Sequence, residues 1–286
     1  MRRWVIILLL GILSIPIVQD VHASLYSHQI SSSGTIDYPG APTLKFRTDF
    51  SDLEIIGSPR PNSFQYVNGT PFPMRQNLNY RDGTARCEII DDPTAIGGKS
   101  FFMEVFEGQP TNARFEINWY LRDLGITDEF YIDVRMRLPD GYHLEAPWDN
   151  PTWWGWHEIM NPVDEWTEDN PDVYKMHLQI RQTEQGYVLA LTLKTEQTRT
   201  VYYEGEVPFV PPAGWFHMKV YVKRHPTDGI VKVWIDGALM FDVPHVRTMD
   251  REDFYADVAK LYGGDILPAK QLWVNTVEIY DGLPPS

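Results

Sequence analysis

Residues 150–162, NPTWWGWHEIMNP, set Trp153, Trp154 and Trp156 beside His157 and Glu158, between two Asn-Pro breaks. Indole rings next to an imidazole and a carboxylate suit recognition of a saccharide. The apolar face of a sugar stacks on an aromatic ring, and its hydroxyls need charged or amide partners. Three tryptophans so close together cannot all point inward, so at least one is expected at or near the surface. The competing reading is a knot of core, two indoles buried and one covering a loop. Two further stretches carry multidentate hydrogen-bonding groups at strand spacing. In YKMHLQIRQ, Lys175, His177, Gln179 and Arg181 alternate with Met176, Leu178 and Ile180. In ARFEINWY, Arg114, Glu116, Asn118 and Tyr120 alternate with Phe115, Ile117 and Trp119. Alternate residues of a strand share a face, so each set predicts one polar row. A third row, Asp133, Arg135 and Arg137, comes from YIDVRMRL. Such rows build a groove that binds polar chains, or they pair Arg with Glu across strands for a few tenths of a kcal/mol. Alternation alone does not choose between the two.

The elements that must position these rows are strands. Alternating runs fall at 43–50, 98–108, 113–121, 129–138, 173–183, 186–196, 215–224, 229–243 and 271–282, separated by Gly, Pro, Asn and Asp, with no helix-period stretch longer than two turns. Strands so spaced predict an all-β fold, an antiparallel β-sandwich of the jelly-roll kind. Asp228-Gly229 and Asp236-Gly237 are each expected to supply a positive-φ hairpin turn, chaining three strands. A polar Ser/Gly/Pro-rich leader, 24–43, precedes the domain, with one edge strand expected at 34–38.

Arg2-Arg3, the apolar run from Trp4 to Val18 and small residues at Val21 and Ala23 read as a secretory signal cleaved after Ala23. The run is short for a membrane span and contains Pro16. The expectation is a secreted, soluble chain organised as 1–23 signal, 24–43 leader and 44–286 one domain, with no membrane partner after cleavage. A single cysteine, Cys87, excludes an intramolecular disulfide and reads as a buried strand thiol. Asn68-Gly69-Thr70 is an N-glycosylation sequon. With 25 Lys+Arg against 39 Asp+Glu, net −14, the chain lacks the clustered positive charge that nucleic acid needs. No His/Asp/Glu cluster has tight metal spacing, so no cofactor is expected. The carboxylates of 164–172 allow a structural Ca²⁺, with a solvated acidic loop the simpler reading. His217 and His225 read as structural or exposed. Glu158 has a plain alternative as an ion-pair partner of a neighbouring Arg, and Tyr262, before Gly263-Gly264, as a strand cap.

Several segments resemble the concanavalin A-like jelly-roll superfamily and, within it, polysaccharide lyases of the heparin lyase, glucuronan lyase and alginate lyase type. RFEIN (Arg114, Glu116, Asn118) resembles their Arg-x-Glu-x-Arg strand. GWHEI resembles their Gln-x-His segment, matching at Trp156 and His157. The stretch from Gly214 to Met240 resembles their Trp-His, hairpin and Val-Trp-Ile-Asp-Gly run most closely, and AKLYGGD and VNTVEIYDG resemble the segments that follow. Gly155 stands where the family has an amide, Asn118 where it has a second Arg, and Lys260 and Tyr262 are two apart. No Glu-x-Asp-x-x-Glu strand of the laminarinase type is present. The resemblance implies a glycan partner and β-elimination on a uronic acid-containing polysaccharide. That reaction neutralises the C6 carboxylate, removes the C5 proton and protonates the leaving oxygen. By the same resemblance His157 is base or neutraliser, Tyr262 base or acid, Arg114 the carboxylate clamp and Lys260 its assistant. Glu116, Asn118, Trp156, Glu158, His177, Gln179 and Arg181 then line the substrate. The alternatives are a lectin-like domain that uses the same concave groove without catalysis, and a structural sandwich.

Overall fold

Strict alternation over five to eleven residues needs a partner layer for its apolar side, and the chain supplies one by folding into two antiparallel sheets. The computed structural model describes residues 42–51, 65–67, 70–72, 85–106, 115–145, 156–165, 173–263, 265–267 and 270–284. In chain order the strands are β1 (Leu44–Thr48), β2 (Gln65–Val67), β3 (Thr70–Phe72), β4 (Ala85–Asp91), β5 (Lys99–Val105), β6 (Phe115–Tyr120), β7 (Glu129–Arg137), β8 (His143–Glu145) and β9 (Trp156–Asp164). They continue as β10 (Tyr174–Thr183), β11 (Gly186–Thr195), β12 (Val201–Pro208), β13 (Trp215–Lys223), β14 (Gly229–Ile235), β15 (Ala238–Val246), β16 (Tyr255–Gly263), β17 (Asp265–Leu267) and β18 (Lys270–Tyr280).

The larger sheet has eight strands in the order β15-β14-β13-β7-β18-β5-β4, with β1 also paired to β18; the smaller has six, β12-β11-β10-β9-β16-β6. Neighbours such as β7 and β18, or β9 and β16, are far apart in sequence. The chain therefore passes repeatedly between the layers, as jelly-roll connections do. The protein is an all-β antiparallel sandwich.

Its core is the apolar half of each alternation. On β7, Phe130, Ile132, Val134 and Met136 are all 0 % exposed, and full burial of each such side chain is worth roughly 1.5–3 kcal/mol. Met176, Leu178 and Ile180 of β10 and Ile117 and Trp119 of β6 meet them in the same cluster. Cys87 on β4 is buried beside them.

One expected turn is absent. Asp236 and Gly237 both take positive φ (47° and 82°), the pair a tight hairpin between β14 and β15 requires. Asp228-Gly229 does not form such a turn. The link between β13 and β14 spans five residues, 224–228, and Gly229 opens β14 without positive φ. Glycine is needed there for space: a Cβ at Gly229 would stand 2.0 Å from Thr248 Oγ1 and 2.8 Å from the Val246 carbonyl oxygen. The expected edge strand at 34–38, the Asn68 sequon, the signal segment and the leader lie outside the described residues.

Candidate functional site

Cross-strand register decides which face each candidate occupies. On β10, Ile180 is a core residue and stands directly opposite His157 of β9. Directly opposed residues point the same way, so His157 lies on the core side of the six-stranded sheet. It is 1 % exposed. Its Nδ1 is 3.2 Å from the Tyr142 hydroxyl, and the two rings stack with centroids 6.1 Å apart. Burial first, and then the Lys270 ammonium, pull its pKa down to about 3. An imidazole that holds a proton so weakly is a poor general base near neutrality. The expectation that His157 lines the polar groove is corrected: the residue counted inward from Trp156 belongs to the sandwich interior.

The opposite face of the same sheet collects the polar rows. Gln179 opposes Glu158, and Glu158 opposes Tyr262, so β10, β9 and β16 contribute one transverse row. Lys260, two residues before Tyr262, shares its face and opposes Glu116 of β6. His177 and Arg181 flank Gln179 on β10. Seven of the expected site residues, Glu116, Glu158, His177, Gln179, Arg181, Lys260 and Tyr262, therefore meet on one face. Trp156 of β9 and Asn118 of β6 are strand positions, paired with Arg181 and Asp257. Arg114 and Gly155 lie outside the described residues, as do Trp153 and Trp154.

This face is not an open groove among the described residues. Glu116, Glu158, His177, Gln179 and Lys260 are 2–8 % exposed; Arg181 and Tyr262 are half-buried. The Lys260 ammonium is the hub. It lies 2.8 Å from Glu158 Oε2, 3.1 Å from Glu116 Oε1 and 3.4 Å from Asp257 Oδ2. With the Asn161 amide turned so that its oxygen faces the ammonium, that oxygen accepts a hydrogen bond from Lys260 Nζ at 2.7 Å. Lys260 Nζ also stands 5.6 Å from the centre of the Tyr262 ring.

His177 extends the network. Its Nδ1 is 2.9 Å from Glu158 Oε1, and its Nε2 faces Glu196 Oε1 at 3.6 Å. Lys175 bridges Asp164 (3.4 Å) and Glu196 (3.3 Å). Burial pushes the Glu158 carboxyl up, but Lys260 and His177 together hold it well below the usual carboxylate range. The His177 imidazole, outweighing burial and helped by Lys175, holds Glu196 low as well. At the edge, Arg181 donates to Glu204 (2.8 Å), Glu206 (2.9 Å), Gln179 (3.0 Å) and Thr192 (3.2 Å). The pairing of Glu158 with a cation is thus with Lys260 and His177 rather than with an Arg.

Asn161, Asp257 and Glu196 were not among the residues that alternation picked out. Two irregularities bring the first two in: the register shifts between Leu178 and Gln179 opposite β9, and between Asp257 and Ala259 opposite β6. Each shift moves a polar residue to the face its parity denies it. Pro162 follows Asn161 inside β9, a central strand, and sits where ladder pairing with β10 is interrupted. Asn161-Pro162, the second of the two Asn-Pro breaks, lies inside β9 at the further shift between Lys175 and Leu178.

Asp164 and Glu165, at the start of the acidic run proposed for Ca²⁺, are committed to cations. Asp164 pairs with Lys175, and Glu165 with Arg224 at 3.0 Å, both side chains 0 % exposed. Residues 166–172 lie outside the described set. Among the described residues no group of His, Cys, Asp or Glu is arranged to hold a metal. His217 pairs with Asp133 at 2.9 Å, and His225 accepts hydrogen bonds from the Thr227 and Asp228 amides. No helix among the described residues is long and apolar enough to cross a membrane.

The Asp133–Arg137 row belongs elsewhere. It lies on the outer face of the eight-stranded sheet, opposite His217 and Trp215 of β13, and takes no part in the Lys260 network.

No family model matches the chain, and no curated protein matches it. Among solved structures it is similar to an endo-β-1,4-glucuronan lyase of the fungus Trichoderma reesei, with 10 % identity over 83 % of this chain and 95 % of that one, at a TM-score of 0.49. It is also similar to a GlcNAcα1-4Gal-releasing endo-β-galactosidase of Clostridium perfringens (12 %, 88 % and 66 %, TM-score 0.45). A third likeness is to an alginate lyase (12 %, 70 % and 81 %, TM-score 0.36).

Proposed function

We propose that this chain is a carbohydrate-active protein, working on the outer face of its six-stranded sheet, and that it cleaves a uronic acid-containing glycan by β-elimination. One observation carries the reading: an imidazole, an amide and a guanidinium of β10 (His177, Gln179, Arg181) share one face with a phenol of β16 (Tyr262), on either side of β9. These are the group types that elimination needs. His177 replaces His157 as the imidazole. A carboxylate bonded to one ring nitrogen fixes the tautomer and orientation of a histidine, and Glu158 does this at Nδ1.

Tyr262 is the half-buried phenol beside the Lys260 ammonium and exchanges the second proton. Gln179 and Arg181 receive the C6 carboxylate at the end of the row away from Glu116 and Asp257. That polarity matters, because the interior of the face carries five carboxylates (Glu116, Glu158, Asp164, Glu196, Asp257) against two ammonium groups and one imidazole. At the Arg181 end the sugar carboxylate takes the place of Glu204 or Glu206 on the guanidinium. Lys260 holds the two glutamates in place and touches no substrate.

The test is a panel of uronans incubated with the protein and scanned in the far ultraviolet for the unsaturated uronate that elimination creates. Product formed by the protein and lost in Tyr262→Phe supports the reading; absence of product from every uronan sinks it. One observation favours a second reading, glycan binding without cleavage: Arg181 already spends its donors on Glu204, Glu206, Gln179 and Thr192. Retention of glycan with no product from any of them would select that reading.

A further inference from the structure

The outer face of the eight-stranded sheet carries a second concentration of cations and rings. In register across β13, β7, β18 and β5 stand Trp215, Arg137, Trp273 and Phe102. The Arg137 guanidinium lies 5.0 Å from the Trp215 ring centre and 4.5 Å from that of Trp273. One step along β7, Arg135 lies 4.8 Å from the same Trp215 ring. Both indoles are partly exposed, and register puts them two strand spacings apart, about 9–10 Å, the length of a disaccharide.

Most cations around these rings are matched among the described residues. Arg137 has Asp92 at 3.2 Å, Lys219 has Asp133 at 3.4 Å, Arg86 has Glu104 at 2.7 Å and Arg47 has Glu278 at 3.3 Å. Arg135 makes no close ion pair among the described residues; the Asp92 carboxylate that pairs with Arg137 acts on it only at longer range. Its Nη1 donates to the Asn275 side-chain oxygen at 2.6 Å. That amide is itself fixed, since its nitrogen donates to the Ile96 and Lys99 carbonyls at 2.8 and 2.9 Å. Asn275 is 0 % exposed, so it holds the guanidinium in place without neutralising it. A guanidinium has five N–H donors and grips a carboxylate with two of them. A cation–π contact orients an arginine at a surface but needs no uncompensated charge. In a chain of net charge −14, where Arg137 and Lys219 beside it are paired, an arginine pre-positioned against the Trp215 ring is matched to an anion from outside.

We propose that this face is a second glycan-binding site, for an acidic oligosaccharide whose carboxylate is taken by Arg135 while a sugar ring lies against Trp215. The site is separate from the face that carries His177 and Tyr262, on the other sheet, and does not depend on cleavage there. It would hold an acidic chain on the surface by an anchor distinct from the point of reaction.

Isothermal titration tests it. The full chain carrying His177→Gln, so that no ligand is consumed, is titrated with an oligoglucuronate and, separately, with a cello-oligosaccharide of equal length. Adding Arg135→Gln is expected to weaken oligoglucuronate binding at this site on the order of tenfold or more, the contribution of one charge-assisted contact. The melting temperature and the response to cello-oligosaccharide should stay the same. Arg135→Lys, which keeps the charge and loses the fork, should fall between. Equal affinity and stoichiometry with and without Arg135→Gln would overturn the proposal, as would an equal loss for the neutral oligosaccharide or no acidic ligand bound by the parent. Failure of the cleavage reading shows separately, as missing unsaturated product in the chain with His177 intact.

Discussion

Replacing Lys260 by methionine tests whether the polar face is one coupled network. The ammonium is 3 % exposed and lies within 3.4 Å of Glu116, Glu158 and Asp257, which are equally shielded from water. Methionine fills nearly the same volume, so packing is largely kept and the charge alone is lost. Removing one partner of a buried ion pair costs about 3–5 kcal/mol, because the remaining charges stay desolvated and unopposed. Against a total stability of roughly 5–15 kcal/mol that loss is large, and at about 2–4 °C per kcal/mol for a domain this size it lowers Tm by about 6–20 °C.

The pH dependence gives a second handle. The Glu158 carboxyl is held well below the usual carboxylate range in the folded chain. Its contribution to stability is therefore fully present above its unfolded pKa, and is lost as pH falls through the depressed folded pKa. Lys260→Met removes a principal cause of the depression, so the gap between the two proteins should narrow on going from about pH 7 to about pH 4. Urea denaturation at both pH values, with the triple variant Lys260→Met, Glu116→Gln, Glu158→Gln as a control expected to recover part of the loss, reads both effects. A loss under about 1 kcal/mol at neutral pH, the range of exposed pairs, would refute the reasoning. So would a loss independent of pH.

Further expectations concern the framework. Arg224→Met breaks the pair with Glu165, fully enclosed and backed by the Phe254 ring 3.5 Å from the guanidinium carbon. It should cost about 3–5 kcal/mol in chemical denaturation, where a surface pair would cost almost nothing. Gly229→Ala forces a methyl against Thr248 and the Val246 carbonyl and should lower stability by about 1–3 kcal/mol. Adding Thr248→Ser, which keeps the hydroxyl the new methyl meets first, should return little of it. His157→Gln leaves a polar group on the core side of β9 and should lower Tm, with no new ionisation in a pH–rate profile, since the native imidazole is already neutral above about pH 3.

Strand identity was legible because the alternation is strict. The polar rows on β10 and β6 were assigned from parity alone, and His177, Gln179 and Glu116 do share a face. The sequence also placed Asp236-Gly237 correctly as a hairpin turn. What alternation could not supply was register across irregular pairs. Asn161 and Asp257 reach the Lys260 ammonium only because β9 and β16 each slip relative to their neighbours, and a slip of one residue reverses every face beyond it. His157 failed for a related reason. The motif around Trp156 fixes what stands next in sequence, whereas the face is fixed by Ile180 across the ladder. Likewise parity gave Asp133, Arg135 and Arg137 as one polar row, which they are, but nothing in YIDVRMRL says which of two sheets receives β7. Glu196 closes the alternating run 186–196 on the parity of Thr192 and Lys194, but no polar row was read from that run.

The account turns on which histidine serves the reaction, and a paired rate measurement tests that most directly. The initial rate of unsaturated-uronate formation should be measured for the parent, His177→Gln and His157→Gln at equal folded concentration. The account predicts that His177→Gln loses on the order of 10²–10⁴ in rate, the range for an acid–base group, while His157→Gln stays within about tenfold of the parent. The reverse order of the two losses would contradict it.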